Sequence, residues 1–152
     1  MKEDIEKEVQ RDIFSGFIEL SLKTGLVLNV HSRSAGRHAV SMLLDKGAKK
    51  VQMHAYDGKA SSAMPAVDEG FFFSIPPSIT RSRQKQKLVK NLPLASLLVE
   101  TDSPVLGPDA NERNEPANIH VALQMIAEIK RIDIEEVTQA VYNNTCRLYD
   151  IW

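Results

Sequence analysis

Two rhythms of apolar residues alternate along the chain, one helical and one of short unbroken runs. Ile5, Val9, Ile13, Phe17 and Leu20 recur at three- and four-residue steps, with Glu, Lys and Arg between them. That spacing predicts a long opening helix, and Gly25 is placed to cap it. Residues 26–30 then run apolar except at Asn29, which predicts a strand buried on both faces, as in a parallel sheet. A helix over 36–46 carries Val40, Met42, Leu43 and Leu44 and ends at Gly47. A strand over 51–55 follows, then a short helix over 61–69 closed by Gly70. Residues 71–75 read as a strand halted by Pro76 and Pro77, a basic helix over 84–91 comes next, and a strand over 97–101 follows. Two helices finish the pattern, over 118–131 and 134–149, the second with Asp133 as its N-cap.

The order is thus one helix, four strand–helix units and one further helix. Strict alternation implies an α/β fold with about four parallel strands and right-handed crossovers. An eight-stranded barrel needs about 250 residues. At 152 residues the chain is expected to be a single domain over 1–152, the size of half a TIM-type barrel.

The strand ends carry the candidate chemistry. The first run leads into His31, the second into His54, and the fourth into Glu100-Thr101-Asp102 before Ser103-Pro104. Open α/β sheets bind ligands outside the carboxyl ends of their strands. His31, His54 and Asp102 are therefore candidate metal ligands on one rim. Neutral imidazole and carboxylate suit Zn²⁺ or Mn²⁺, and a bound divalent ion can lower the pKa of water to about 7. Asp102 is the candidate catalytic residue, able to orient or deprotonate that water. Arg33, just beyond His31, is a candidate phosphate clamp. Arg81, Arg83, Lys85, Lys87 and Lys90 form a basic run expected to flank the rim and track a nucleic-acid backbone. Arg113-Asn114-Glu115-Pro116 reads as a cap or a brace for the rim loop, whereas Asp57-Gly58 is a simple turn. There is no phosphate-binding glycine loop, Cys-x-x-Cys pair or nucleophile elbow.

Composition narrows the setting. A formal net charge of −1 gives no global attraction to nucleic acid or membrane, so DNA contact must come from a local patch. The single cysteine, Cys146, excludes an internal disulfide and reads as a small buried residue of the last helix. The charged start is unlike a secretory or mitochondrial leader, and no apolar stretch approaches the roughly 20 residues that span a bilayer. A soluble intracellular protein, cytoplasmic or nuclear, with no membrane partner is expected.

Val-His-Ser-Arg at 30–33, the strand-end His54, Glu-Thr-Asp-Ser-Pro at 100–104 and Arg-Asn-Glu-Pro at 113–116 occur in the order found in the TatD family of metal-dependent deoxyribonucleases. Longer stretches such as HSRSAGR, FFSIPPSI, QKQKLVK and TDSPVLGP are most similar to its eukaryotic branch, the TatD domain-containing protein three group. The resemblance implies a metallohydrolase barrel with two divalent ions (Zn, Mn or Mg) that hydrolyses phosphodiester bonds in DNA by metal-activated water. It makes His31 and His54 metal ligands and Asp102 the ligand that positions or activates the water. Arg33 is implied as a phosphate contact, and Arg81 and Arg113 are further substrate-binding candidates.

The same resemblance marks what this sequence does not contain. Family members begin with a strand bearing an Asp-x-His-x-His motif and later supply a Glu from Gly-Glu-x-Gly-Leu-Asp, and neither motif is present. The chain is therefore expected to be the C-terminal half of the barrel, N-terminally truncated. It should hold one metal at most and be weak or inactive alone. Open strand edges and an apolar sheet face would favour a homodimer. The alternative to a nuclease is a non-catalytic half-barrel acting as a dimer or as a nucleic-acid-binding module.

Overall fold

The computed structural model describes residues 2–151, with side chains from residue 5 onward. The elements are α1 (Lys2–Thr24), β1 (Leu28–His31), α2 (Gly36–Asp45), β2 (Val51–His54), α3 (Ala60–Asp68), β3 (Phe72–Ile75), α4 (Arg83–Asn91), β4 (Leu97–Val99), α5 (Ile119–Lys130) and α6 (Ile134–Tyr149), with short 3₁₀ turns between several of them. The strands form one parallel sheet in the order β1-β2-β3-β4. This is the half-barrel arrangement that the strand–helix alternation predicts. Among the described residues no helix is long and apolar enough to cross a membrane.

Local chemistry sets the element ends. Gly25 takes a left-handed φ of 71° and its N–H closes onto Ser21 O, while the Ser21 hydroxyl donates to Leu26 O. The helix exit thus consumes residues 25–27, and β1 starts at Leu28 rather than at 26. Asp133 occupies the N-cap position of α6 with extended backbone, although its side chain makes no capping hydrogen bond.

Period-2 alternation divides the strand residues between two faces. Val30, Val51, Met53, Phe73, Ile75 and Leu97 point to the helical side and join Leu43, Leu88, Ile126 and Val137 in one core. Burying each such side chain stabilises the fold by about 1.5–3 kcal/mol. The other face carries Asn29 and His31, Gln52 and His54, Phe72 and Ser74, then Leu98 and Glu100. The expected exposed apolar sheet face is therefore corrected: this face is mainly polar, and its two apolar members are covered. Leu148 from the end of α6 packs with Phe72 and Leu98. Asn144 of α6 donates to the carbonyls of Leu94 and Leu97, and Arg147 to that of Ala95, so α6 is fastened beneath β4. Cys146 is free and buried on α6, as its place in the sequence predicts.

The opening helix forms where the periodicity puts it, but its apolar stripe is not buried. Ile5, Val9, Ile13, Phe17 and Leu20 are all exposed, whereas Ile18 is fully buried and Phe14 packs against the core. The helix meets the core at Phe14 and Ile18, on the β1 side of the sheet, and residues 5–13 are exposed.

Candidate metal centre

His31 and His54 stand opposite each other at the carboxyl ends of β1 and β2. Their rings stack, with centroids 3.8 Å apart and planes inclined by 19°. His54 Nδ1 lies 2.6 Å from Glu100 Oε2. Glu100 also accepts the Ala55 N–H at 2.9 Å and the Ser74 hydroxyl at 2.6 Å. An ionised carboxylate only accepts hydrogen bonds, so Nδ1 of His54 carries a hydrogen, and in the neutral ring that tautomer leaves the Nε2 lone pair free. Nε2 faces Asp102 Oδ2 at 3.6 Å, too long for a hydrogen bond. Asp102 adopts a left-handed φ of 57°, a conformation Asp tolerates, where the chain turns out of β4.

Two donors that face each other without sharing a proton fit a cation. Ligands about 2.0–2.2 Å from a tetrahedral Zn²⁺ lie roughly 3.3 Å apart, close to the span seen here. A carboxylate on the far nitrogen is also the usual orienter of a metal-binding histidine. His54 and Asp102 thus fit the implied ion. Among the described residues no three His, Cys, Asp or Glu side chains are gathered as a metal-holding set. The expected trio is present as one facing pair with the His31 ring stacked alongside, because parallel rings set their nitrogens side by side rather than convergent.

Behind Glu100 the polar face continues. Gln52 Nε2 donates to Ser74 Oγ at 3.1 Å, and the Tyr149 hydroxyl donates to Gln52 Oε1 at 2.8 Å. Burial, and then the negative charge of Glu100, hold the Tyr149 phenol protonated above its usual range. The sequence by itself assigns no role to Glu100, Ser74, Gln52 or Tyr149. Gln52 and Ser74 did carry a signal, as single polar residues inside apolar strands; Tyr149 carried none.

The rim is braced from two sides. Asn114 is 1% exposed and uses its whole amide, donating to the carbonyls of Thr101 and Val105 and accepting from Glu115 N and Asn118 Nδ2. It locks the loop bearing Asp102, the brace expected of the Arg-Asn-Glu-Pro segment. Arg113 is exposed beside it, on a groove of about 430 Å³ between Ser103-Pro104 and residues 113–117. Arg81 is exposed and its Nε donates to Gly107 O, while Arg33 is exposed after His31 with a left-handed φ of 42°.

The basic run needs a correction. Arg83, Lys87 and Lys90 are exposed, but Lys85 is buried, donating to Ala55 O at 2.9 Å and pairing with Asp57. It faces the β2–α3 loop because residue 85 lies one helical turn before the buried Leu88 and Val89.

The model of the family described as TatD related DNase matches residues 1–150. The deoxyribonuclease TATDN3 of Homo sapiens is 51% identical over 144 residues, covering 95% of this chain and 53% of that protein. An uncharacterized metal-dependent hydrolase of Methanocaldococcus jannaschii is 34% identical over 140 residues, covering 92% of this chain and 55% of that one. The crystal structure of a TatD homolog from Escherichia coli superimposes with a TM-score of 0.81 at 26% identity, over 89% of this chain and 54% of that one. The chain spans about half the length of the curated relatives it matches. Motif order, half-barrel fold and sequence likeness coincide along nearly the whole chain, which belongs to the TatD related DNase family.

Proposed function

We propose that this chain carries one side of the metal site of a phosphodiester hydrolase acting on DNA. The observation that carries this reading is the facing pair, His54 Nε2 and Asp102 Oδ2, 3.6 Å apart at the carboxyl end of the sheet. His54 and Asp102 would hold a divalent ion (Zn²⁺, Mn²⁺ or Mg²⁺), which would supply water acidic enough to ionise near neutral pH. His54 would offer Nε2, its ring held in place by Glu100 on the other nitrogen, and Asp102 would offer a carboxylate able to orient or deprotonate a bound water. His31 completes the rim beside them. Exposed Arg33, Arg81 and Arg113 offer guanidinium groups to phosphate oxygens, and Arg83, Lys87 and Lys90 extend a cationic path along α4. The names of the human and archaeal relatives support DNA as substrate and a metal as cofactor. The buried free thiol of Cys146 accords with an intracellular setting, cytoplasmic or nuclear.

With one facing pair among its described residues, the chain holds one ion weakly and turns DNA over slowly or not at all by itself. Calorimetric titration with Mn²⁺ and Zn²⁺ is expected to show a single site. Asp102→Ala and His54→Ala should each weaken it by about 10-fold or more. Fusing the half that the relatives carry outside the matched region should then yield metal-dependent cleavage of a labelled DNA duplex. A fused barrel that binds metal but never cleaves DNA refutes the nuclease reading.

A second reading rests on a different observation, the outer edges of β1 and β4, with which no strand among the described residues pairs. Two copies joined edge to edge, β1 of one to β4 of the other, form a closed eight-stranded sheet and satisfy both edges.

A further inference from the structure

We propose that the polar face of the sheet is a directed hydrogen-bond relay in which Tyr149, through Gln52 and Ser74, holds Glu100 as the positioning residue of His54. The direction follows from proton counting, starting at the carboxylate. Glu100 only accepts, so at 2.6 Å both Ser74 Oγ and His54 Nδ1 must give it a hydrogen. Ser74 has one hydroxyl hydrogen and has now used it, so it accepts from Gln52 at 3.1 Å. The Gln52 amide nitrogen therefore faces Ser74 and its carbonyl faces Tyr149, whose hydroxyl donates at 2.8 Å. Every donor points towards Glu100, and in the neutral ring the tautomer this selects turns the bare Nε2 of His54 towards Asp102.

Three strands and the C-terminal helix supply the members: β2 gives Gln52 and His54, β3 gives Ser74, the end of β4 gives Glu100, and α6 gives Tyr149. Ser74 is fully buried and Gln52 nearly so, so neither can turn to solvent instead. Without Tyr149, the Gln52 carbonyl loses its donor and the amide is free to flip. Ser74 then gives its hydrogen to Gln52 or to Met53 O, 3.5 Å away, and Glu100 loses one of the three bonds that orient it. Tyr149 is therefore a positioning residue acting at a distance from the rim, and the last turn of α6 is part of the site's support.

The relay depends on the metal reading only for its purpose, since the tautomer it sets exists without metal. The test is nitrogen-15 NMR of the histidine rings in the metal-free 152-residue chain, at about pH 8 where a free imidazole is neutral. His54 is expected to carry its proton on Nδ1, with a downfield, slowly exchanging N–H signal. Glu100→Gln should give a mixture of tautomers, and Tyr149→Phe should shift the Nδ1–H signal and speed its exchange several-fold. Gln52→Met breaks the relay from the sheet side and should itself shift the Nδ1–H signal and speed its exchange, which keeps the test available if Tyr149→Phe fails to fold. Metal affinity is expected to fall about 10–100-fold in Glu100→Gln and by a smaller factor in Tyr149→Phe. A His54 proton on Nε2 in the wild type, or His54 signals unmoved in folded Tyr149→Phe and Gln52→Met, overturns the relay. If the signals respond as expected but the wild type takes up neither Mn²⁺ nor Zn²⁺, the relay stands and the metal reading falls.

Discussion

Lys85 is a cation taken from a surface run and used as a joint. Its ammonium, with the residue only 4% exposed, bonds the Ala55 carbonyl and pairs with Asp57, fixing the loop that leaves His54. Replacing it with Met keeps the stem but leaves that carbonyl without its partner. Lys85→Met should cost about 2–3 kcal/mol in urea unfolding, whereas Lys87→Ala on the exposed face should stay within about 0.5 kcal/mol. Equal costs for the two would remove Lys85 from this role. The sequence contained the clue, because 85 lies three and four residues before Leu88 and Val89 and so shares their buried face. Clustered charge pointed the other way, towards a solvated path. His54 and Asp102 were legible because a polar residue ending an apolar run marks a strand mouth. Glu100 was in the same pentapeptide yet had no readable role, since its partners His54 and Ser74 come from other strands and only register brings them together.

Elements meet where side chains leave no room, and the ring of Tyr56 is such a place. It is fully buried, packs edge-on against Phe73 with centroids 5.3 Å apart, and lies between Gly36 at the start of α2 and Gly58 before α3. A Cβ at Gly58 would lie 2.1 Å from the Tyr56 hydroxyl oxygen, and one at Gly36 2.7 Å from the ring. Because Phe73 and the core block the ring's retreat, Gly58→Ala should destabilise the fold by about 1–3 kcal/mol. Tyr56→Phe should be neutral or stabilising in thermal denaturation, since the buried hydroxyl has no hydrogen-bond partner among the described residues. A tolerated Gly58→Ala, or a costly Tyr56→Phe, would mean that the contact between these elements is looser than drawn. From sequence, Asp57-Gly58 reads as a turn and nothing more; that the glycine also makes room for a ring is a tertiary fact. The stripe on α1 teaches the same limit, because periodicity identifies an apolar face without saying what covers it.

At the scale of the whole molecule, the sheet has a closed side and an open one, and strand alternation foretold the half-barrel but not the character of the open face. Leu148 and Tyr149, brought underneath by α6, seal part of that face and leave the two edges as the unsatisfied boundary. Near the β1 edge lies α1, with its exposed stripe of Ile5, Val9, Ile13, Phe17 and Leu20. A second copy placing β4 against β1 would continue the parallel ladder, and its helices would meet that stripe. The register identifies a variant that tests this without disturbing the existing sheet. Leu28 N–H bonds Lys50 O on the β2 side, so by alternation the N–H of Asn29 points away from β2, to the free edge. Proline removes that donor and is tolerated on edge strands. Sedimentation of the wild-type chain should therefore report a dimer, and Asn29→Pro a monomer with unchanged circular dichroism. A well-folded wild-type monomer at micromolar concentration rules out edge pairing, as does a dimer that Asn29→Pro leaves intact. Metal titration of the two forms then separates assembly from chemistry: if the His54–Asp102 pair of one chain is sufficient, the Asn29→Pro monomer keeps its single site, and if ligands from both chains are needed, metal and dimer are lost together.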